Sequence, residues 1–395
     1  MKKWLCLFFS FFLTLPVQAE AQLSKAVWIR PYLKDATENK VKEVFDNVQG
    51  LGAKNVYLET FWGGQTIFPS KQFPQRFPGV DLLETYRKEA KTRGMKLYSW
   101  IHSNDFGKAY ADRFPEDLAL DGFGKTSQAT EPHSWMVSPA LPQVRERLAN
   151  LAYELCQRSD GVILDYIRYP VRIKGDDVDE SPDPRNFWGY NPKQLIKFFL
   201  ENPEYDSEEY RSFLASGQAD PSKKEEYLGV WKDWNAYQVE ELIQRIRRSV
   251  ILPKKLGISF FPNYYFHIND SRLQESKKWF SYFDLLSPMC YSYYLDRFPG
   301  PFGDYNIDRE LGIVEEGLLD QKRKPPVMAS LTEDPPGTPL HARFHHRIFR
   351  EQIAYLRGRM LDLAYPNLKG IAYFSYGWLF PESEKNRKTP ERESR

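Results

Sequence analysis

The chain has 395 residues, 42% of them hydrophobic and 15% aromatic, enough apolar material for one large core. Its 55 Lys and Arg nearly cancel its 53 Asp and Glu, leaving a formal charge of +2. No basic excess remains to neutralise a phosphate backbone, so nucleic acid is excluded as the default partner.

The N-terminus reads as a secretory signal peptide over residues 1–21. Lys2 and Lys3 precede an apolar run from Trp4 to Leu15, and small residues follow around Val17, Ala19 and Ala21. The run is shorter than the about 20 residues of a membrane span, and Cys6 lies inside it rather than at a cleavage site. No later segment has the length and apolarity to cross a bilayer. The expected mature protein is secreted or periplasmic, with no stable membrane span.

β-type runs then alternate with helical patterns. The first run is residues 26–30. Val41, Val44, Phe45 and Val48 follow at i, i+3, i+4 and i+7, the stripe of an amphipathic helix. Asp35 followed by Glu38 reads as a capping box at its start. Further runs occupy residues 55–59, 95–102, 161–165, 256–260, 285–291, 326–331 and 370–376. Val144, Leu148, Leu151 and Leu155 stripe one intervening helix; Val239, Leu242, Ile243, Ile246 and Val250 stripe another.

Eight strands separated by helices predict a parallel sheet, because parallel neighbours need crossover connections. Eight is the number that closes a barrel. The open doubly wound alternative normally carries a Gly-rich phosphate loop after its first strand, and residues 26–34 contain no glycine. The expectation is a single (β/α)8 TIM barrel over residues 22–381, with a disordered polar tail over 382–395. Two long segments, 103–141 and 171–228, follow the third and fourth strands. They belong to the C-terminal face, where barrel enzymes build their sites.

Cys156 falls in a helical pattern and Cys290 in a strand pattern. A barrel would hold them too far apart to bridge, so both are expected as buried free thiols. There is no CxxC, no HExxH and no His/Cys cluster. The sequence implies neither a metal nor a cofactor.

The fourth strand ends abruptly in polar chemistry: Asp165, Tyr166, Arg168 and Tyr169 follow Val162, Ile163 and Leu164. A carboxylate at the C-terminal end of a barrel strand reads as catalytic and one at its start as structural. Asp165 is therefore the functional candidate and Asp160 the structural one. Arg168 either holds Asp165 ionised, in the site or as a buried pair supporting the loop, or binds a substrate carboxylate.

Glu59 ends the second strand. Glycosidases need two carboxyl groups flanking the scissile bond, and Asp165 as nucleophile or base with Glu59 as acid fits that requirement. The other reading of Glu59 is a carboxylate that binds a sugar hydroxyl or ties down its loop. Asp105, past the third strand, and Glu333, past the seventh, are the alternatives for the second role.

His102 ends the third strand and reads either as a hydrogen-bonding contact to a substrate hydroxyl or as a structural histidine. Tyr291, Tyr376 and Trp378 follow the sixth and eighth strands and are expected at the mouth. The chain holds 10 Trp, 24 Tyr and 27 Phe. Several lie beyond strand ends: Phe61, Trp62, Trp135, Tyr169, Trp188, Tyr264, Tyr265, Tyr293 and Trp378. Flat rings with polar handles suit sugar faces and hydroxyls. Trp62 and Tyr169 join Arg168 and Asp105 as expected substrate contacts. Trp231 and Trp234, on one helix face, read as packing.

Several segments together resemble the bacterial glycosyl hydrolase-like 10 family. They are Val27, Trp28 and Ile29; the stretch from Gly63 and Gly64 to Ser70; Arg93 to Trp100; Asp160 to Pro170; Trp231 and Trp234 at the head of a long helix; Gly257 to Ser259; and Ser287 to Tyr291. The resemblance spans most of residues 25–380. It implies an exported barrel related to glycoside hydrolases, with cell-envelope or extracellular glycan as substrate; some related proteins act on peptidoglycan strands. Amylase-like barrels place a nucleophilic Asp where Asp165 stands. This chain departs from them in two ways. Its fifth strand ends at residues 258–262 without the Glu that serves there as acid, and Arg168 follows the Asp instead of preceding it by two residues.

The sequence thus reads as an exported glycoside hydrolase whose partner is a polysaccharide or oligosaccharide. A non-catalytic glycan-binding or cell-envelope scaffold on the same barrel is the alternative. A barrel deacetylase or amidase is a third, against which the lack of a metal cluster counts.

Overall fold

The computed structural model describes residues 23–170, 183–261, 276–291, 304–332, 347–361 and 364–387. The expected signal segment and the candidates Glu333, Tyr264, Tyr265 and Tyr293 lie outside these residues. Among the described residues nine strands form: β1 (Ser24–Ile29), β2 (Asn55–Trp62), β3 (Gln65–Thr66), β4 (Lys96–His102), β5 (Gly161–Asp165), β6 (Lys255–Phe260), β7 (Leu285–Pro288), β8 (Val327–Thr332) and β9 (Leu368–Phe374). β3 is a short antiparallel appendage of β2. The other eight pair in parallel in the order β1-β2-β4-β5-β6-β7-β8-β9, and β9 returns to β1. The sheet is a closed (β/α)8 barrel, as the alternation of runs predicts.

Two apolar layers follow from the strand alternation. Outward residues such as Val27, Val56, Leu97, Val162 and Leu256 pack under the helices, among them α1 (Glu38–Gly50), α2 (Leu82–Thr92) and α4 (Pro142–Cys156). Inward residues fill the barrel: Ala26, Trp28, Tyr57, Trp100, Ile163, Leu285, Met328 and Ala372. Trp28 presents its ring edge-on to Tyr57 at 4.8 Å and to Trp100 at 5.0 Å, and its Nε1 donates to Ser330 Oγ at 3.2 Å. Two residues beyond this plug on each strand, the inward positions are Arg30, Glu59, His102 and Asp165. Register locks them together, with Glu59 opposite Trp100 and His102 opposite Asp165.

The two long connections sit at the C-terminal face. The stretch between β4 and α4 carries α3 (Gly107–Arg113). The stretch after β5 leads through α5 (Pro192–Glu201) and α6 (Glu208–Ser216) into α7 (Lys224–Ser249). These three helices bury Phe198, Tyr210, Phe213, Tyr227, Trp231 and Trp234 in a core of their own. Trp231 and Trp234 stack at 6.1 Å within it, so both serve packing. Cys156 and Cys290 are buried free thiols. Among the described residues no helix is long and apolar enough to cross a membrane.

Two local expectations are corrected. Asp35 does not cap α1, whose N-cap is Thr37; it is buried, accepting from Tyr32 N–H at 2.8 Å and Tyr86 O–H at 2.9 Å. The polar tail does not begin at Glu382, because Pro381–Arg387 is helical. Proline at the first helical position and two acids in the first turn suit a helix start. Tyr32 O–H donates to Glu384 at 2.5 Å and Ser383 O–H to Glu43 at 2.7 Å, which docks this helix near α1.

Candidate functional site

β5 delivers Asp165 to the mouth, where only 8% of its surface stays accessible. Its Oδ2 accepts the Trp100 indole N–H at 3.0 Å and its Oδ1 the Tyr166 backbone N–H at 2.8 Å. Burial pushes the Asp165 carboxyl above the usual aspartate range; His102 and the two N–H donors oppose that push and Arg168 adds a smaller share.

Glu59, at 3% exposure, stands on β2 between two cationic or potentially cationic groups. Its Oε1 lies 3.3 Å from Arg30 Nε and 3.4 Å from His102 Nε2. Arg30 keeps 44% of its side chain open at the mouth. Its guanidinium lies over the rings of Trp100 (5.7 Å) and Phe374 (5.9 Å). His102 Nε2 is buried without a hydrogen bond of good geometry among the described residues. The His102 ring stacks on Tyr166 at 4.6 Å and 13°.

Arg168 turns elsewhere than toward Asp165. It makes a two-pronged pair with Glu131, at 2.8 and 3.0 Å, and donates to the Tyr169 carbonyl at 2.9 Å. Its guanidinium also lies 4.8 Å from the centroid of the Tyr166 ring. The chain has left the strand by residue 168, and the long β4 connection folds back to supply Glu131. Asp105 anchors that same connection: its Oδ1 accepts from Gly107 N–H at 3.1 Å and Trp135 N–H at 3.0 Å. Burial raises the Asp105 carboxyl, against the pull of those two donors and of His102.

The loops after β2 and β4 touch backbone to backbone. A Cβ on Gly64 would stand 1.8 Å from the Phe106 carbonyl oxygen, and one on Gly107 would stand 2.1 Å from the Gly63 carbonyl oxygen. Gly64 and Gly107 both have φ near +70°, a conformation glycine adopts without cost. This contact fixes Trp62 relative to Asp105.

The expected aromatic contacts divide. Trp62 is half-buried at the mouth, under Arg76 at 4.3 Å and edge-on to His102 at 6.4 Å. Tyr291 stacks on Phe374 at 5.3 Å, and Trp378 meets the same ring edge-on at 5.7 Å. Tyr169 is wholly buried, its hydroxyl accepting from Gln194 Nε2 at 2.7 Å in the packing against α5. Tyr376 is buried too, accepting from Asn47 Nδ2 at 2.8 Å on the side of α1. Phe61 and Trp188 are likewise core. Trp100, Glu131, Tyr166 and Phe374 are not among the site residues that the sequence predicts. Inward parity on β4 and β9 is a signal for Trp100 and Phe374; nothing local marks Glu131. Among the described residues, no group of three His, Cys, Asp or Glu side chains converges to hold a metal ion.

No family model matches the chain. No curated protein matches it either. Solved structures do. The glycoside hydrolase domain of PgaB (BpsB) from Bordetella bronchiseptica superposes with a TM-score of 0.60 at 13% identity, over 93% of this chain and 98% of that one. An α-L-fucosidase (isoenzyme 2) from Paenibacillus thiaminolyticus gives 0.55 at 14% identity, over 92% of this chain and 48% of that one. A β-galactosidase from the psychrophilic Marinomonas ef1 gives 0.56 at 13%, over 89% and 54%. The chain thus spans about half the length of the last two. At such identities the likeness is one of fold alone, a (β/α)8 barrel.

Proposed function

We propose that this chain is an exported glycoside hydrolase acting on a polysaccharide, with cell-wall glycan the first substrate to test. One observation carries the reading: two buried carboxyl groups, Glu59 and Asp165, flank a single histidine in a mouth lined by Trp62, Tyr291, Phe374 and Trp378. The basic, apolar and small-residue order of residues 1–21 supports export.

The environments of the two carboxyl groups suggest their roles. A carboxyl group held protonated can serve as the acid of such a pair. Burial drives Asp165 toward its protonated form, which suits the donor to the leaving glycosidic oxygen. Glu59, set 3.3 Å from the Arg30 guanidinium, is then the nucleophile at the anomeric carbon or the base that activates water. These roles reverse the ones expected from strand position alone.

The test is reducing-end release from a glycan panel that includes peptide-free peptidoglycan strands. Asp165→Asn and Glu59→Gln should each lower turnover by about 10²–10⁴-fold. Aryl glycosides, whose leaving groups need no proton, should restore the first variant, and added azide the second. The opposite rescue pattern would exchange the roles, and full activity in Asp165→Asn would sink the site. Binding without release from any glycan would instead identify a glycan-binding protein on this barrel.

A further inference from the structure

We propose that Tyr166 is a substrate-contacting residue of this mouth, its phenol O–H hydrogen-bonding the sugar held over Asp165; the inference rests on the glycosidase reading above. Strand alternation would send residue 166 to the face opposite Asp165. The backbone reverses that direction. Tyr166 has φ of +54°, and it is one of two described non-glycine residues with positive φ. Left-handed backbone on a bulky residue is unfavourable and persists only where its surroundings over-determine it.

The surroundings do so here. The phenol ring stacks on His102 at 4.6 Å and 13°. Arg168 lies 4.8 Å from its centroid and is itself pinned by Glu131. The backbone N–H of Tyr166 is tied to Asp165 Oδ1. Every constraint acts on the ring or the backbone. The hydroxyl has no hydrogen-bond partner among the described residues, and the side chain is only half-buried. The charges facing the phenol are Asp165, Arg168, Glu131 and Arg30. Two of these, Asp165 and Arg30, belong to the mouth. The phenol is pushed up to about 12, chiefly by burial and next by Asp165. It therefore keeps its proton at neutral pH and can donate it in a hydrogen bond. A strained, clamped side chain ending in an open donor beside the reacting carboxyl is built to meet a ligand.

This arrangement also gives the Arg168–Glu131 pair a purpose. By holding the ring, it acts on substrate through Tyr166 rather than by contact.

Tyr166→Phe removes only the hydroxyl and leaves the stack intact. On whichever glycan wild type cleaves, kcat/KM should fall about 10-fold or more, as the loss of one substrate hydrogen bond does, with an unchanged melting temperature. Calorimetric titration with chitohexaose and with peptide-free peptidoglycan strands supplies a readout that does not need turnover. Affinity for the probe that wild type binds should fall by a similar factor. Unchanged kcat/KM and unchanged affinity in a folded Tyr166→Phe protein would overturn the contact while leaving the glycosidase reading standing. Wild type that neither binds nor cleaves any probe would overturn both. Should the Phe variant fold poorly, Tyr166→Asn, whose side chain tolerates positive φ, tests the same loss.

Discussion

Carboxylates guard both ends of this barrel, in opposite manner. At the N-terminal end, Asp160 immediately precedes β5 and accepts Leu97 N–H at 2.9 Å, with Lys96 Nζ at 3.3 Å. Asp284 immediately precedes β7 and accepts Leu256 N–H at 2.9 Å, with Arg247 at 2.6 Å and Arg323 also bonded. One device occurs twice: an aspartate before a strand caps the first amides of the strand beside it. At the C-terminal end, Asp165 and Glu59 meet an indole, an imidazole and an open guanidinium. The lower carboxylates both have cationic and backbone partners. The upper ones are set at the mouth, where burial raises Asp165 and Glu59 lies beside Arg30 and His102. In barrel enzymes the N-terminal end serves stability and the C-terminal end carries the site.

The largest expected effect lies below. Asp284→Asn removes one partner of a buried ion pair and should cost about 3 kcal/mol in denaturant unfolding, with turnover retained. Its acidity supplies a second check. Burial alone would raise Asp284, but the Leu256 N–H, Arg323 and Arg247 bring its carboxyl below the usual range. A group depressed on folding contributes stability above its unfolded value, about 3.9, and loses it as pH falls through the folded value. The gap between wild type and Asp284→Asn should hold from pH 5 to 7, roughly, and close below about pH 4. A gap that widens with acid would break the comparison.

Gly107→Ala comes next. The Cβ would drive into the Gly63 carbonyl, and positive φ adds about 1–2 kcal/mol. A stability loss of about 2 kcal/mol is expected, with kcat/KM down about 10²-fold as Asp105 and Trp62 lose alignment. Full turnover would show that the two loops do not set the site. Asp160→Asn should do least: about 1 kcal/mol at the melting transition and no change in kcat/KM. A marked loss of turnover there would dissolve the division between the ends.

Strand order, closure and the Asp165 strand end were legible because alternation and length are local properties of the chain; β2 runs on past Glu59 to Trp62. Glu59, His102 and Asp165 needed only the rule that the last inward residue of a barrel strand reaches the mouth. What escaped needed information from elsewhere. The partner of Arg168 is 37 residues away in a connection without periodicity. Tyr169 and not Tyr166 is the expected mouth residue, because a place beyond the strand end gives a side chain no direction, and the positive φ of residue 166 is not visible in sequence. Asp35 mimics a cap by spacing, yet its carboxylate serves Tyr32 and Tyr86. The charged composition after Pro381 suggested a loose tail, whereas Glu384 and Ser383 find partners on residues 32 and 43, more than 300 positions earlier.

The back-to-back contact of Gly64 with Phe106 and of Gly107 with Gly63 also bears on how this sequence can change over evolution. Each glycine is closed to every other residue only while the opposite loop keeps its course. A side chain or insertion in one loop must be answered in the other, so the two form a single mutational unit. Among homologous chains, residues 63–64 and 106–107 should covary, even though more than 40 residues separate them.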